Sequence, residues 1–107
     1  MSVAPLEWHL TQSNGYFIDL HTSHGTDNKV VGYADCGGVH GNVVSGYIGP
    51  SDVSFTIDWH NGSKGYYHGN YNSTYATALG STYDILHPWS HATWSSSDFP
   101  LEYYTPF

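Results

Sequence analysis

The chain contains no arginine and only two lysines against nine acidic residues, a formal net charge of −7 over 107 residues. Phosphate-backbone binding needs clustered Lys and Arg to release counterions, so nucleic acid is not an expected partner. An anionic membrane surface repels such a chain for the same reason. Long apolar runs are missing too, and no segment is expected to span a bilayer. Residues Met1 to Pro5 lack the basic and apolar regions of a secretory signal, so a cytoplasmic protein or a mature secreted form is expected. Cys36 stands alone, which excludes an intramolecular disulfide framework. A domain this small must then hold together by packing, helped by self-association. The length allows one domain, residues 1–107, and is too short for two of ordinary size.

Low charge here does not mean disorder. Aromatic residues make up 17% of the chain, with ten tyrosines, four tryptophans and four phenylalanines, whereas disordered segments are poor in them. Twelve glycines and many Ser, Thr and Asn residues separate short Val/Ile/Tyr/Phe/Trp runs, and no stretch has apolar residues at helical spacing. The chain is therefore expected to be all-β.

Strand-like pieces recur at Leu6–Gln12, Tyr16–His21, Lys29–Cys36, Val39–Ile48, Val53–His60, Ser63–Asn72, Ala78–Leu86 and His91–Ser97. Turn signals lie between them, among them Ser13-Asn14-Gly15, Gly37-Gly38, Asn61-Gly62 and His87-Pro88. Gly-Gly and Asn-Gly supply positive φ in tight hairpins, so consecutive strands should pair antiparallel in a meander. Alternation is clearest at Val53, Phe55, Ile57 and Trp59, which share one face, while Ser54, Thr56, Asp58 and His60 share the other. An open sheet would leave two unpaired edges, and closure removes them. The expected fold is an eight-stranded antiparallel up-and-down β-barrel, just wide enough to hold side chains or one small ligand. A flat sandwich of the same strands is the competitor. Residues 98–107, with Phe99, Tyr103, Tyr104 and Phe107, read as a tail that either plugs a barrel end or packs between subunits.

Residues that could carry chemistry are better explained without it. His21 and His24, and His87 and His91, come with no CxxC or HExxH partner, so no metal site and no cofactor are expected. A Gly37-Gly38 hairpin pairs Cys36 with Val39 and Asp35 with His40. Cys36 and His40 then fall on opposite faces and cannot form a nucleophile–base dyad. Asp58 and Asp84 are weak candidates for an acid–base couple, because alternation turns Asp58 away from Trp59. The sequons at Asn61 and Asn72 fall on predicted loops.

In order along the chain, several motifs resemble the avidin and streptavidin family of biotin-binding barrels. Trp8 followed by Asn14-Gly15-Tyr16-Phe17 is similar to that family's first hairpin, and Val31-Gly32-Tyr33 and Ser45-Gly46-Tyr47 to its glycine–aromatic strands. Val53 to Asn61 resembles its fifth strand, Tyr67-His68-Gly69-Asn70-Tyr71 its sixth, and Ala92-Thr93-Trp94 the place of its last tryptophan. The resemblance implies an avidin-like, calycin-type barrel that binds a ligand and does not act on it. Its aromatic box would be Trp59, Tyr67, Tyr83 and Trp94, with Ser13 and the third-strand Tyr33 as polar partners. It also implies a dimer or tetramer in which Trp94 caps a neighbour's pocket. Tyr67 and Tyr83 stand where the family has tryptophans, so an aromatic-lined cavity is implied more directly than biotin.

Hairpin register bears on that box. With a two-residue Asn61-Gly62 loop, Ile57 faces Tyr66; with a three-residue Asn61-Gly62-Ser63 loop, Ile57 faces Tyr67, and Tyr67 joins Trp59 inside. The family pattern favours the second. Two other functions remain open from the residues. One is a carbohydrate-binding lectin that uses Tyr, Trp, Asn and His around Asn61, Asn70 and Asn72. The other is a barrel cyclase or isomerase acting through shape and a few polar groups. The expected partner is a small molecule or a sugar.

Overall fold

A computed structural model describes residues 6–24, 29–49, 51–72, 75 and 77–99. Eight strands run β1 (Leu6–Gln12), β2 (Phe17–His24), β3 (Val30–Cys36), β4 (Val39–Ile48), β5 (Asp52–Trp59), β6 (Lys64–Asn72), β7 (Thr77–Asp84) and β8 (His87–Ser96). Each pairs antiparallel with the next, and β8 returns to β1, so the sheet is a closed up-and-down barrel. Closure leaves neither edge strand unpaired.

The seam between β1 and β8 is short, with Thr11 opposite Ser95 and Gln12 opposite Trp94. Ser13 extends it. The Ser13 N–H donates to the Thr93 carbonyl at 2.8 Å, and the Thr93 N–H donates to the Ser13 hydroxyl at 3.0 Å.

Local chemistry sets the hairpins. Gly37 and Gly38 both have positive φ, 56° and 89°, as a two-residue turn between right-twisted strands requires. This puts Cys36 opposite Val39 and Asp35 opposite His40. After β5 the loop is His60-Asn61-Gly62: the Trp59 N–H donates to Ser63 O, and Gly62 takes a φ of 94°. Gly62 closes the turn one residue earlier than an Asn61-Gly62-Ser63 loop would. Phe55, not Ile57, therefore stands opposite Tyr67, while Ile57 stands opposite Gly65. The parity is that of the three-residue alternative, and Tyr67 is inside. The last hairpin turns at Ile85-Leu86 and not at His87-Pro88. Register then jumps from Tyr83↔His91 to Asp84↔His87, so Pro88, Trp89 and Ser90 bulge out, where a proline costs no ladder bond.

Inside, the barrel is filled unequally. At the end where β1 starts, Trp8 meets Phe99 edge-to-face at 5.1 Å and Phe55 at 5.9 Å, and Tyr71 stacks on Phe99 at 5.3 Å. Phe99 plugs this end; the rest of the tail, residues 100–107, lies outside the described residues. The Trp8 indole N–H donates to the buried Thr22 hydroxyl at 3.0 Å, so the ring is buried without an orphaned donor. Leu10, Ile18, Leu20, Ala34, Val43 and Ile57 belong to the same apolar core. Truncating one such leucine to alanine costs about 2–5 kcal/mol.

Candidate functional site

The other end of the barrel is open. Here the β1–β2, β3–β4, β5–β6 and β7–β8 turns ring a cavity of about 420 Å³. This falls within the roughly 300–1,000 Å³ common for small-ligand pockets. Ile18, Val39, Trp59 and Ala92 give its apolar walls, and Gln12, Cys36, Tyr67, Thr82 and Asp84 its polar ones. Strand parity explains the set. Gln12 continues the inward face of Trp8 and Leu10, Trp59 that of Phe55 and Ile57, and Asp84 that of Ala78 and Thr82.

A chain of hydrogen bonds crosses the cavity. Thr82 bonds the Tyr67 oxygen, the Tyr67 hydroxyl donates to Gln12 Oε1 at 2.6 Å, and Gln12 Nε2 donates to Asn14 Oδ1 at 3.1 Å. Four groups from β7, β6, β1 and the first turn thus fix one another before any ligand arrives. Burial pushes the Tyr67 phenol far above its ordinary range, against the hydrogen bond from Thr82, so Tyr67 stays a donor at any physiological pH. Burial also pushes the Cys36 thiol up, with the Asp19 charge adding to it. Cys36 is therefore a neutral thiol on the wall, not a poised thiolate. Partial burial works to raise the Asp84 carboxyl, but hydrogen bonds from the Leu86 N–H at 2.9 Å, from His87 and from the Lys64 backbone outweigh it and hold Asp84 below the ordinary carboxylate range.

The residues expected to form the box are distributed unevenly. Trp59 and Tyr67 both line the cavity. Tyr83 borders it, but its ring sits 5.6 Å from Tyr66 on the outer face, because Thr82 and Asp84 on either side of it point in. Trp94 lies deeper, 2% exposed, 6.2 Å from Phe55 and with its indole N–H donating to Ser81 O. The ring is held within its own barrel. Ser13 is spent on the β1–β8 seam. Tyr33 is on the outside, since its inward neighbour is Ala34, and it stacks on His21 at 4.7 Å.

Tyr33 belongs instead to an external stripe. His21, Tyr33, His40 and His60 follow one another from β2 through β3 and β4 to the β5–β6 loop, with Tyr33 5.4 Å from His40 and His40 5.1 Å from His60. Asp35 takes His40 Nδ1 at 2.9 Å. Cys36 and His40 do lie on opposite sides of the wall, and Asp58 is exposed while Asp84 lines the cavity. Among the described residues, no three His, Cys, Asp or Glu side chains are placed to hold a metal ion.

Fold and site together define a closed eight-stranded barrel plugged at one end and hollow at the other. Comparison of the chain with protein-family models, curated proteins and solved structures found no significant match.

Proposed function

We propose that the protein is a non-catalytic binding barrel that holds one small, partly apolar molecule in its open end. The observation that carries this reading is the preformed cavity, whose polar wall is already hydrogen-bonded from Thr82 to Asn14. Binding to such a wall requires little ordering of the protein, which is how a small site reaches useful affinity. Trp59 and Tyr67 supply broad apolar area, and Gln12, Thr82 and Asp84 supply orientation. The avidin-like order of motifs supports the same reading, with biotin as one candidate occupant.

The external stripe of His21, Tyr33, His40 and His60 favours a second reading, a lectin that stacks a sugar face on Tyr33. Native mass spectrometry of protein purified from its source, followed by titration with biotin and a fragment set, separates the two. The cavity reading expects one retained or added small molecule per chain, lost in Trp59→Ala and kept in Tyr33→Ala. Glycan binding that survives Trp59→Ala and is lost in Tyr33→Ala overturns it in favour of the lectin.

A further inference from the structure

The charges around the cavity are one-sided. Asp84 is the only acid among its lining residues, and neither lysine lines it. Lys64 stands opposite Asp58 in the β5–β6 register, on the outer face, and Lys29 stands opposite Tyr47 in an isolated backbone β-bridge at the plugged end. Among the described residues, nothing cationic therefore neutralises Asp84 from the cavity side apart from the imidazoles of His91 and His87, the second of which is exposed. The rest of the wall is aromatic or neutral: Trp59, Tyr67 and Tyr16 present rings, and Asn61, Ser63 and Ser90 present uncharged polar groups. Ring quadrupoles attract cations, and a net charge of −7 adds a field of the same sign at a recessed mouth.

We infer that the cavity, if it is the ligand site proposed above, selects a small organic cation, an ammonium group on an apolar or aromatic body, with Asp84 as its counter-charge. Asp84 is suited to this. Its carboxylate accepts the Leu86 N–H on Oδ1, faces His87 on Oδ2 and takes a further hydrogen bond from the Lys64 backbone, three of the roughly four lone pairs a carboxylate offers, and so keeps room for one more donor. Those bonds also fix the carboxylate in place at the β7–β8 turn. An anion of equal size would meet Asp84 and the ring faces with like charge in a half-enclosed space, where water screens poorly. Gly65 lies directly opposite Asp84 on β6 and also lines the cavity, where a Cβ would press on the Tyr67 ring at 3.0 Å.

Three matched probes test this: 2-phenylethylammonium, 2-phenylethanol and 3-phenylpropionate, titrated into the full chain at about pH 8. Tryptophan emission and calorimetry give the affinities. The ammonium should bind at least about tenfold more tightly than the carboxylate. This preference should shrink in Asp84→Asn while the alcohol's affinity holds, and in the unaltered chain it should shrink with added salt. The salt series keeps the test valid if Asp84→Asn disturbs the turn. Equal binding of all three, or tighter binding of the carboxylate, overturns the charge selection and leaves the cavity site standing. No binding of any of the three at millimolar concentration overturns the cavity site itself, and the charge selection with it.

Discussion

His9 and Asp98 tie the two ends of the sheet together: the His9 backbone N–H donates to Asp98 Oδ1 at 2.9 Å, and the ring Nδ1 meets Oδ2 at 2.6 Å. Ser96 adds a third bond to the same carboxylate. Asp98 precedes Phe99, so this cluster holds the plug in the barrel end.

The pair should give stability a pH window. The Asp98 hydrogen bond and charge, with Glu7 and Asp19 beside the ring, raise the His9 pKa despite some desolvation. Partial burial works to raise Asp98, but the bonds from His9 and Ser96 prevail and lower it. A raised imidazole stabilises the fold fully below its unfolded value and loses that contribution as pH rises through the folded one. A lowered carboxyl contributes above its unfolded value and loses it as pH falls through the folded one. The joint contribution is therefore largest between about pH 4 and pH 6.5. Both side chains are partly exposed, 34% and 42%, so screening limits the effect. Asp98→Asn should cost about 1 kcal/mol in that window and less on either side. Urea unfolding at a series of pH values checks it; a constant difference across the range would contradict it.

Gly69 and Gly80 face each other across β6 and β7. A Cβ on Gly80 would lie 1.9 Å from the His68 carbonyl oxygen, and one on Gly69 would lie 2.1 Å from that of Leu79. Both obstacles are backbone, which cannot swing aside. Gly80→Ala should therefore cost more than about 2 kcal/mol or prevent folding. Gly15→Ala, with open space around its Cβ and only its positive φ of 95° to strain, should cost about 1 kcal/mol. Thermal unfolding of the two variants gives the order.

Tyr67 and Gln12 are 55 residues apart in sequence and joined at 2.6 Å. Tyr67→Phe removes the donor and leaves the Gln12 oxygen without it, at a cost of about 1–2 kcal/mol. Gln12 then loses its fixed orientation, so affinity should fall for a ligand that hydrogen-bonds Gln12. Denaturant unfolding and a titration of the same variant report the two effects separately.

The fold was legible because its signals are local. Leu6–Gln12 and Val39–Ile48 read directly as strands, and the alternation from Val53 to Trp59 marks the inward face. The β7–β8 turn was not legible, because Pro88 reads as a turn residue and only the neighbouring register shows that it sits in a bulge. The cavity position of Asp84 was hidden by placing Tyr83 in the box by resemblance, which sets the opposite parity for β7. Gln12 shares strand parity with Trp8 and Leu10, a signal present in the sequence. Thr82 and Cys36 show on the wall only once the barrel closes. Ser13 and Tyr33 came from motif resemblance alone; tertiary bonding explains their actual places, one in the seam and one in the external stripe.

The proposed function stands or falls with the open end of the barrel as the binding site. Backbone amide NMR of the labelled chain, titrated with a set of small aromatic amines and alcohols, tests it most directly. Shifts should concentrate on Gln12, Gly37, Trp59, Gly65 and Thr82, and on the Trp59 indole N–H. Shifts confined to His21, Tyr33, His40 and His60 on the outer wall, with the cavity residues unmoved, would contradict it.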